Sequence, residues 1–198
     1  MIGITTAHLQ ECLDRLRAGD ERARQDLLTH AQQRLRLLIR RAFRHFPTVR
    51  RWVEEDDVLQ QVLLRLDRAL KNLQFLTALD FLKLASTNIR REMIDLARWV
   101  AGPRSLPAHH ITPTPGSDLE PPPALTGPPE ELLAWSELHT RIGELPDQER
   151  EMFDLLWYQG MSQEEAAELL GISLAVVRRR WQLARLHLLD ALGGELPL

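Results

Sequence analysis

The stretch Ser162-Gln163-Glu164-Glu165-Ala166-Ala167-Glu168-Leu169-Leu170-Gly171-Ile172-Ser173 decides how the C-terminal part of the chain folds. Ser162 and Glu165 have the spacing of a capping box: the hydroxyl accepts from the Glu165 amide, and the Glu165 carboxylate reaches back to the Ser162 amide. Ala166, Ala167, Leu169 and Leu170 give the helix that follows an apolar side of small residues, which lets a second helix cross it closely. Gly171 supplies the left-handed backbone that ends the helix, Ile172 plugs the core and Ser173 caps the next helix. That next helix runs from about Leu174 to Leu188, with Val177, Trp181, Ala184 and Leu188 on one face. Leu174, Ala175, Arg178, Arg179 and Gln182 lie elsewhere on it and remain free to face a groove. Together these signals predict a helix-turn-helix that presents an arginine-rich helix to DNA.

Outward from this motif the rest of the chain also reads as helical. Leu and Ala far outnumber Val and Ile, apolar residues make up 44%, and no alternating run bounded by turns reads as a strand. Leu9, Leu13 and Leu16 predict a short first helix ending near Gly19. Ala23, Leu27, Ala31, Leu35, Leu38 and Ala42 line a long basic helix that stops near Pro47. Val58, Leu59, Val62, Leu63, Leu66 and Leu70 follow an acidic start at Glu54 to Asp57, where the helix dipole favours negative charge. Phe81, Leu82, Ala85, Ile89, Met93, Leu96 and Ala97 make a fourth stripe. Further on, Leu133, Leu138 and Ile142 line one face, and Met152, Phe153, Leu155 and Leu156 supply another after Pro146, ending at Gly160.

The plainest boundary is 102–129, which holds nine of the twelve prolines and reads as a flexible linker. The expected fold is all-α: two small helical domains, 1–101 and 130–198, joined by the Pro-rich linker 102–129, the second a helix-turn-helix. The net charge of −3 makes nucleic-acid binding a matter of local patches such as Arg34 to Arg51 and Arg178 to Arg180. Arg34 to Arg51 reads as a solvated helix face. Cys12 is the single cysteine, so no intramolecular disulfide forms, and it reads as a small buried residue. No apolar run reaches the roughly 18 residues that span a bilayer, and no signal peptide is apparent; a cytoplasmic location is the expectation.

The segments Leu145 to Arg150, Gln159 to Ala167 and Gly171 to Ser173, with Val177, Arg178, Arg180, Ala184 and Arg185, closely resemble the fourth conserved region of bacterial sigma factors of the sigma-70 family, in its short extracytoplasmic-function (ECF) group. Glu54 to Leu66 resembles the acidic, Gln-bearing helix of that family's second region, which docks on the polymerase clamp. Arg90-Arg91-Glu92-Met93-Ile94-Asp95-Leu96-Ala97-Arg98 resembles the helix that handles the −10 element. The resemblance implies a factor that directs RNA polymerase core to promoter DNA. Ser173, Leu174, Ala175, Arg178, Arg179, Gln182 and Arg185 would meet the −35 element, and Arg90, Arg91 and Arg98 the −10 element. Asp56, Asp57, Gln60 and Leu64 would contact polymerase, whose clamp and flap are both partners, and the family leaves room for an anti-sigma factor. Leu76 to Asp80 would form a pocket for a flipped base. Gln61, Leu63 and Asp67 stand where the family usually has Glu, Phe and Trp, and Arg91 where it often has Asn. Leu174, Arg179 and Leu183 also depart from the common recognition helix.

Enzymatic readings find no support in the motifs. Gly-rich phosphate loops and nucleophile elbows are absent, and His109-His110 lie adjacent with no partner ligands, so neither catalysis, a metal nor a cofactor is expected. An autonomous repressor or activator with the same motif is the other competitor, but the chain has no heptad seam and its acidic helix has no role in that scheme. Trp181 shares the packing face of its helix, whereas Trp99 stands between packing and strand contact.

Overall fold

The computed structural model describes residues 6–44, 54–72, 77–101 and 130–194, and every regular element among them is a helix. The proline-rich stretch 102–129, with His109 and His110, lies outside the described residues, as do 45–53 and 73–76 and the side chain of Trp99. Four helices build the N-terminal part: α1 (Thr6–Arg17), α2 (Glu21–Arg44), α3 (Glu55–Asn72) and α4 (Ala78–Ala101). The apolar stripes read from the sequence are their inner faces. Leu9 and Leu13 of α1, Leu27, Leu35 and Ile39 of α2, Val58, Val62 and Leu66 of α3, and Phe81, Ile89 and Met93 of α4 are all buried. Each such large side chain contributes about 1.5–3 kcal/mol by leaving water, which holds four helices together without a disulfide.

Local signals set the corners. Gly19 has φ 89°, and Asp20 accepts from the Arg22 amide at 3.0 Å, so one residue ends α1 and the next opens α2. Thr77 and Asp80 exchange hydrogen bonds at the start of α4. The Asp80 amide donates to Thr77 Oγ1 at 3.1 Å and the Thr77 amide donates to Asp80 Oδ2 at 2.9 Å.

The C-terminal part holds α5 (Glu130–Glu144), α6 (Asp147–Met152), α7 (Gln163–Leu170) and α8 (Leu174–Ala191). The α6 helix continues without a break into a π-helical segment, Phe153–Tyr158, all six residues of which are buried. Its buried face includes Asp154, an acid within an otherwise apolar run.

The two parts share one apolar core. Helix α5 lies chiefly along α4 and only secondarily against α6 and α8. Its buried face is Trp135, Leu138, His139 and Ile142, spaced i, i+3, i+4, i+7, and Trp135 stacks on Phe43 of α2 with ring centroids 5.7 Å apart. Leu133 is not part of that face; it is 53% exposed. The expected stripe Leu133, Leu138, Ile142 is therefore corrected at its first member, because a step of five residues leaves one helical face while Trp135 stays on it.

Candidate nucleic-acid interface

The helix-turn-helix forms as its sequence predicts. Ser162 Oγ accepts from the Glu165 amide at 3.1 Å, and the Ser162 amide donates to Glu165 Oε2 at 2.7 Å, completing the capping box. Gly171 takes φ 63° and ψ 30°, and the Ile172 amide donates to the Ala167 carbonyl at 3.1 Å, which closes the turn. Ser173 then caps α8, accepting from the Val176 amide at 3.4 Å. Ala166, Val177, Ala184 and Leu188 are fully buried, so the crossing is made by small or branched side chains. Trp181 packs edge-on against Phe153 at 4.8 Å between centroids, with part of its surface left open.

Those inward residues turn the other face of α8 outward. Ser173, Ala175, Arg178, Arg179, Gln182 and Arg185 are exposed and Leu174 is half-buried. All seven candidate −35 residues thus lie on the outside or rim of one helix and its cap. Two pairs hold the helix from behind: Glu149 Oε2 meets His187 Nδ1 at 2.6 Å, and Glu151 Oε2 lies 3.8 Å from Arg180 Nη1. Arg180, unlike its two neighbours, is half-buried toward α6.

On α3 the candidate polymerase contacts also share an outer face. Asp56, Asp57 and Gln60 are exposed, and Leu64 is 49% exposed, four residues after Gln60. Asp56 is not free-standing: Arg36 of α2 meets it at 2.5 Å, and Arg40 meets Glu55 at 2.8 Å. The basic run that begins at Arg34 is accordingly no uniform solvated face. Arg36 and Arg40 pair with the acids of α3, whereas Arg34 turns the other way and donates to the Gln159 side chain at 3.1 Å and backbone carbonyl at 3.0 Å.

The three candidate −10 arginines part company on α4. Arg91 and Arg98, seven residues apart, are exposed on one side. Arg90 points inward to a polar cluster between the two halves of the molecule. Its Nη1 donates to Asp154 Oδ1 at 2.9 Å, with the two side chains 6% and 5% exposed, and its guanidinium lies 5.4 Å from the centre of the Tyr158 ring. Tyr158 Oη and His139 Nδ1 are hydrogen-bonded at 2.5 Å. Ser86 Oγ donates to the Asp154 carbonyl at 3.1 Å, an oxygen that also accepts from the Gln159 amide across the wide turn of the π segment. Gln159 Nε2 donates to the Leu82 carbonyl at 3.1 Å and to Ser86 Oγ at 2.9 Å. At the rim, Lys83 Nζ meets Glu151 Oε1 at 2.5 Å.

Burial sets the direction for three groups of this cluster, Asp154, His139 and Tyr158, whereas Tyr158 and Asp154 together raise Arg90 against it. It pushes the Asp154 carboxyl above its ordinary range, with the Arg90 charge pulling the other way. It lowers His139 from 6.5 to about 3, and the neighbouring Arg90 charge adds to the effect, so the imidazole is neutral in the folded protein. Tyr158 is raised by the same loss of water.

Sequence reasoning missed Asp154, Gln159, Ser86 and Lys83 as a group. One signal was available: a lone acid inside the apolar run Met152 to Tyr158 must find a buried cation or a change of protonation. Among the described residues no group of three or more His, Cys, Asp or Glu side chains is placed to hold a metal. No helix among them is long and apolar enough to cross a membrane. No curated protein matches the chain. The stretch from Trp135 of α5 to Leu188 of α8, residues 135–188, matches the family described as Sigma-70, region 4, and it is this part of the chain that builds the helix-turn-helix.

Proposed function

We propose that the protein is an ECF-type sigma factor, which brings RNA polymerase core to promoters and performs no chemistry of its own. The observation that carries this reading is the outward face of α8, within the segment similar to sigma-70 region 4. Arg178, Arg179, Gln182 and Arg185, with Ser173 to Ala175 at the helix start, offer donors and small side chains to a major groove at the −35 element. Arginines in such a position read guanine edges or hold phosphates, and both contacts are charge-assisted. On this reading, 130–198 serves the −35 element and the polymerase flap. The unit 1–101 serves the clamp through Asp56, Asp57, Gln60 and Leu64, and the −10 element through the arginines of α4. The protein would work in the cytoplasm, and an anti-sigma factor would have these same faces to cover.

Run-off transcription with purified core polymerase on a library of genomic fragments tests the reading. Promoter-specific transcripts that depend on the protein are expected. Sequence-specific DNA binding without polymerase, and no transcripts with it, would overturn the proposal in favour of an autonomous regulator. Within the same assay Asp57→Lys should weaken binding to core polymerase while leaving DNA binding by α8 unchanged.

A further inference from the structure

Helix α8 carries apolar side chains on its outer surface as well as on its inner one. Among the described residues five large apolar side chains are exposed, and two of them, Val176 and Leu186, stand on α8. Leu183 lies between them, half-buried but outside the shared core. Val176, Arg179, Leu183, Leu186 and Asp190 follow steps of three and four residues, so they form one stripe along about four turns. It faces away from Val177, Ala184 and Leu188, which are fully buried. A lone exposed leucine is ordinary, whereas apolar side chains in helical register make a face suited to another helix.

The charges of the stripe decide what fits it. Arg179 and Asp190 are exposed, and neither has an ion-pair partner among the described residues. Asp190 stands in the last turn of α8, where the helix dipole disfavours a carboxylate, and that turn holds no basic residue. Arg179 and Asp190 share their midpoint along the helix with Leu183 and Leu186. When a second α8 is laid antiparallel about that midpoint, Arg179 of each copy meets Asp190 of the other. Leu183 and Leu186 meet between the two ion pairs. Val176 comes opposite Gly193, which has no side chain in the way. In a parallel pair Arg179 would face Arg179 and Asp190 would face Asp190, so the charges select one arrangement. We propose that this stripe is a self-association surface, on which two copies pair antiparallel through α8 about a twofold axis. One helix face buries less than the roughly 1,200 Å² of a stable interface, so the pair is weak and depends on concentration. Arg179 is also a candidate DNA contact, and in the pair its guanidinium is taken by a carboxylate. The pair is therefore a DNA-free form, and promoter binding draws copies out of it by mass action. That consequence rests on the reading of α8 as the −35 helix; the pairing itself does not.

Sedimentation equilibrium of the full chain, from low micromolar to submillimolar concentration, tests the pairing. A monomer–dimer equilibrium is expected, weakened about tenfold or more by Arg179→Asp, by Asp190→Arg or by Leu186→Glu. Each of the first two sets like charges against each other at both ends of the pair. Combining Arg179→Asp with Asp190→Arg in one chain makes the ends opposite in charge again. The dimer constant should then return to within about threefold of the parent value. Mixing the two singly reversed chains should give a mixed dimer where neither chain pairs alone. Misfolding is not cured by mixing, so this rescue reports the contact itself.

A monomer at every concentration leaves the stripe to a different protein and overturns the pairing. A dimer indifferent to the reversals, or one that neither the combined change nor the mixture restores, overturns it too. Run-off transcription with core polymerase separates this proposal from the function proposed above. Promoter-specific transcripts from a chain that is always monomeric remove the pairing and keep the sigma-factor reading. Charge-swap rescue without transcripts removes that reading and keeps the pairing. In the transcribing complex one copy per polymerase is expected, and two would overturn the exclusion between pairing and DNA.

Discussion

Helices α4 and α8 each carry arginines beside an apolar stripe, yet one helix displays its arginines and the other divides them. On α8 the inward positions are Val177, Ala184 and Leu188, and the buried residues of the neighbouring α7 are Ala166 and Ala167, while Arg178, Arg179 and Arg185 stay outside. On α4 a second body, α5 with the π segment, packs on a further side of the helix and takes Arg90 with it. Helical period alone assigns a residue to a face. Whether that face is covered depends on what else the chain brings to it, and in α4 the cover comes from α5 and the π segment, with Asp154 lying 64 residues beyond Arg90.

The comparison is broken most severely by removing the cover itself. Trp135→Ala takes away a fully buried side chain stacked on Phe43 and should cost about 3–5 kcal/mol of stability in urea unfolding of the full chain. A loss below about 1 kcal/mol would mean that α5 is not docked on the N-terminal helices in solution. The helix-turn-helix face should not depend on this residue, so DNA binding by α8 should survive wherever the chain remains folded.

Acid distinguishes the two regions next. His139 is held near 3 in the folded protein against 6.5 when unfolded, because burial and then Arg90 disfavour its charged form. Above pH 6.5 it is neutral in both states and its contribution does not change with pH. As pH falls from 6.5 toward 3 the unfolded chain takes up a proton that the folded chain refuses. Stability should then fall by about 1.4 kcal/mol per pH unit relative to a His139→Gln chain. Parallel pH profiles for the two chains would show that the imidazole is not buried.

The displayed arginines give a smaller effect on binding. Arg179→Ala should weaken promoter binding by about 1–3 kcal/mol if it reads a base edge, with little change on other sequences. An equal loss on all DNA, with a shallower salt dependence, would assign it to a phosphate instead. The smallest change concerns the motif's frame. Ser162→Ala removes the hydroxyl that accepts from Glu165, and a loss of about 1 kcal/mol is expected in thermal unfolding.

What could be read from the sequence follows the same division. Ser162 and Glu165, Gly171, and Val177, Ala184 and Leu188 act within a few turns of one another, so their spacing carried nearly the whole geometry of the helix-turn-helix. The stripes of α1 to α4 were legible for the same reason. Leu133 was misplaced and Trp135 and His139 overlooked because the face that α5 buries is set by α4 and α2, which no local pattern in α5 reveals. Arg34 and Gln159 are 125 residues apart, and Arg90 and Asp154 are 64 apart. Pairings at such distances are settled by how the halves pack, and a sequence shows only the charges that will need partners. The π segment was equally hidden, since its wide turn is what lets the Asp154 carbonyl reach both Gln159 and Ser86.

Cys12, the single thiol of the chain, is 1% exposed, and burial pushes it above the usual thiol range. A thiol in that state reacts with a labelling reagent only when the surrounding helices part, so its rate of modification is a built-in clock for loosening of the N-terminal bundle. Cys12 sits within that bundle, on α1, and makes no part of the Arg90 cluster. A variant that swings the two halves apart while α1 to α4 stay packed would leave the clock running at its old speed. One that melts the bundle would quicken it, which gives hinge motion and partial unfolding separate signatures in an otherwise unlabelled protein.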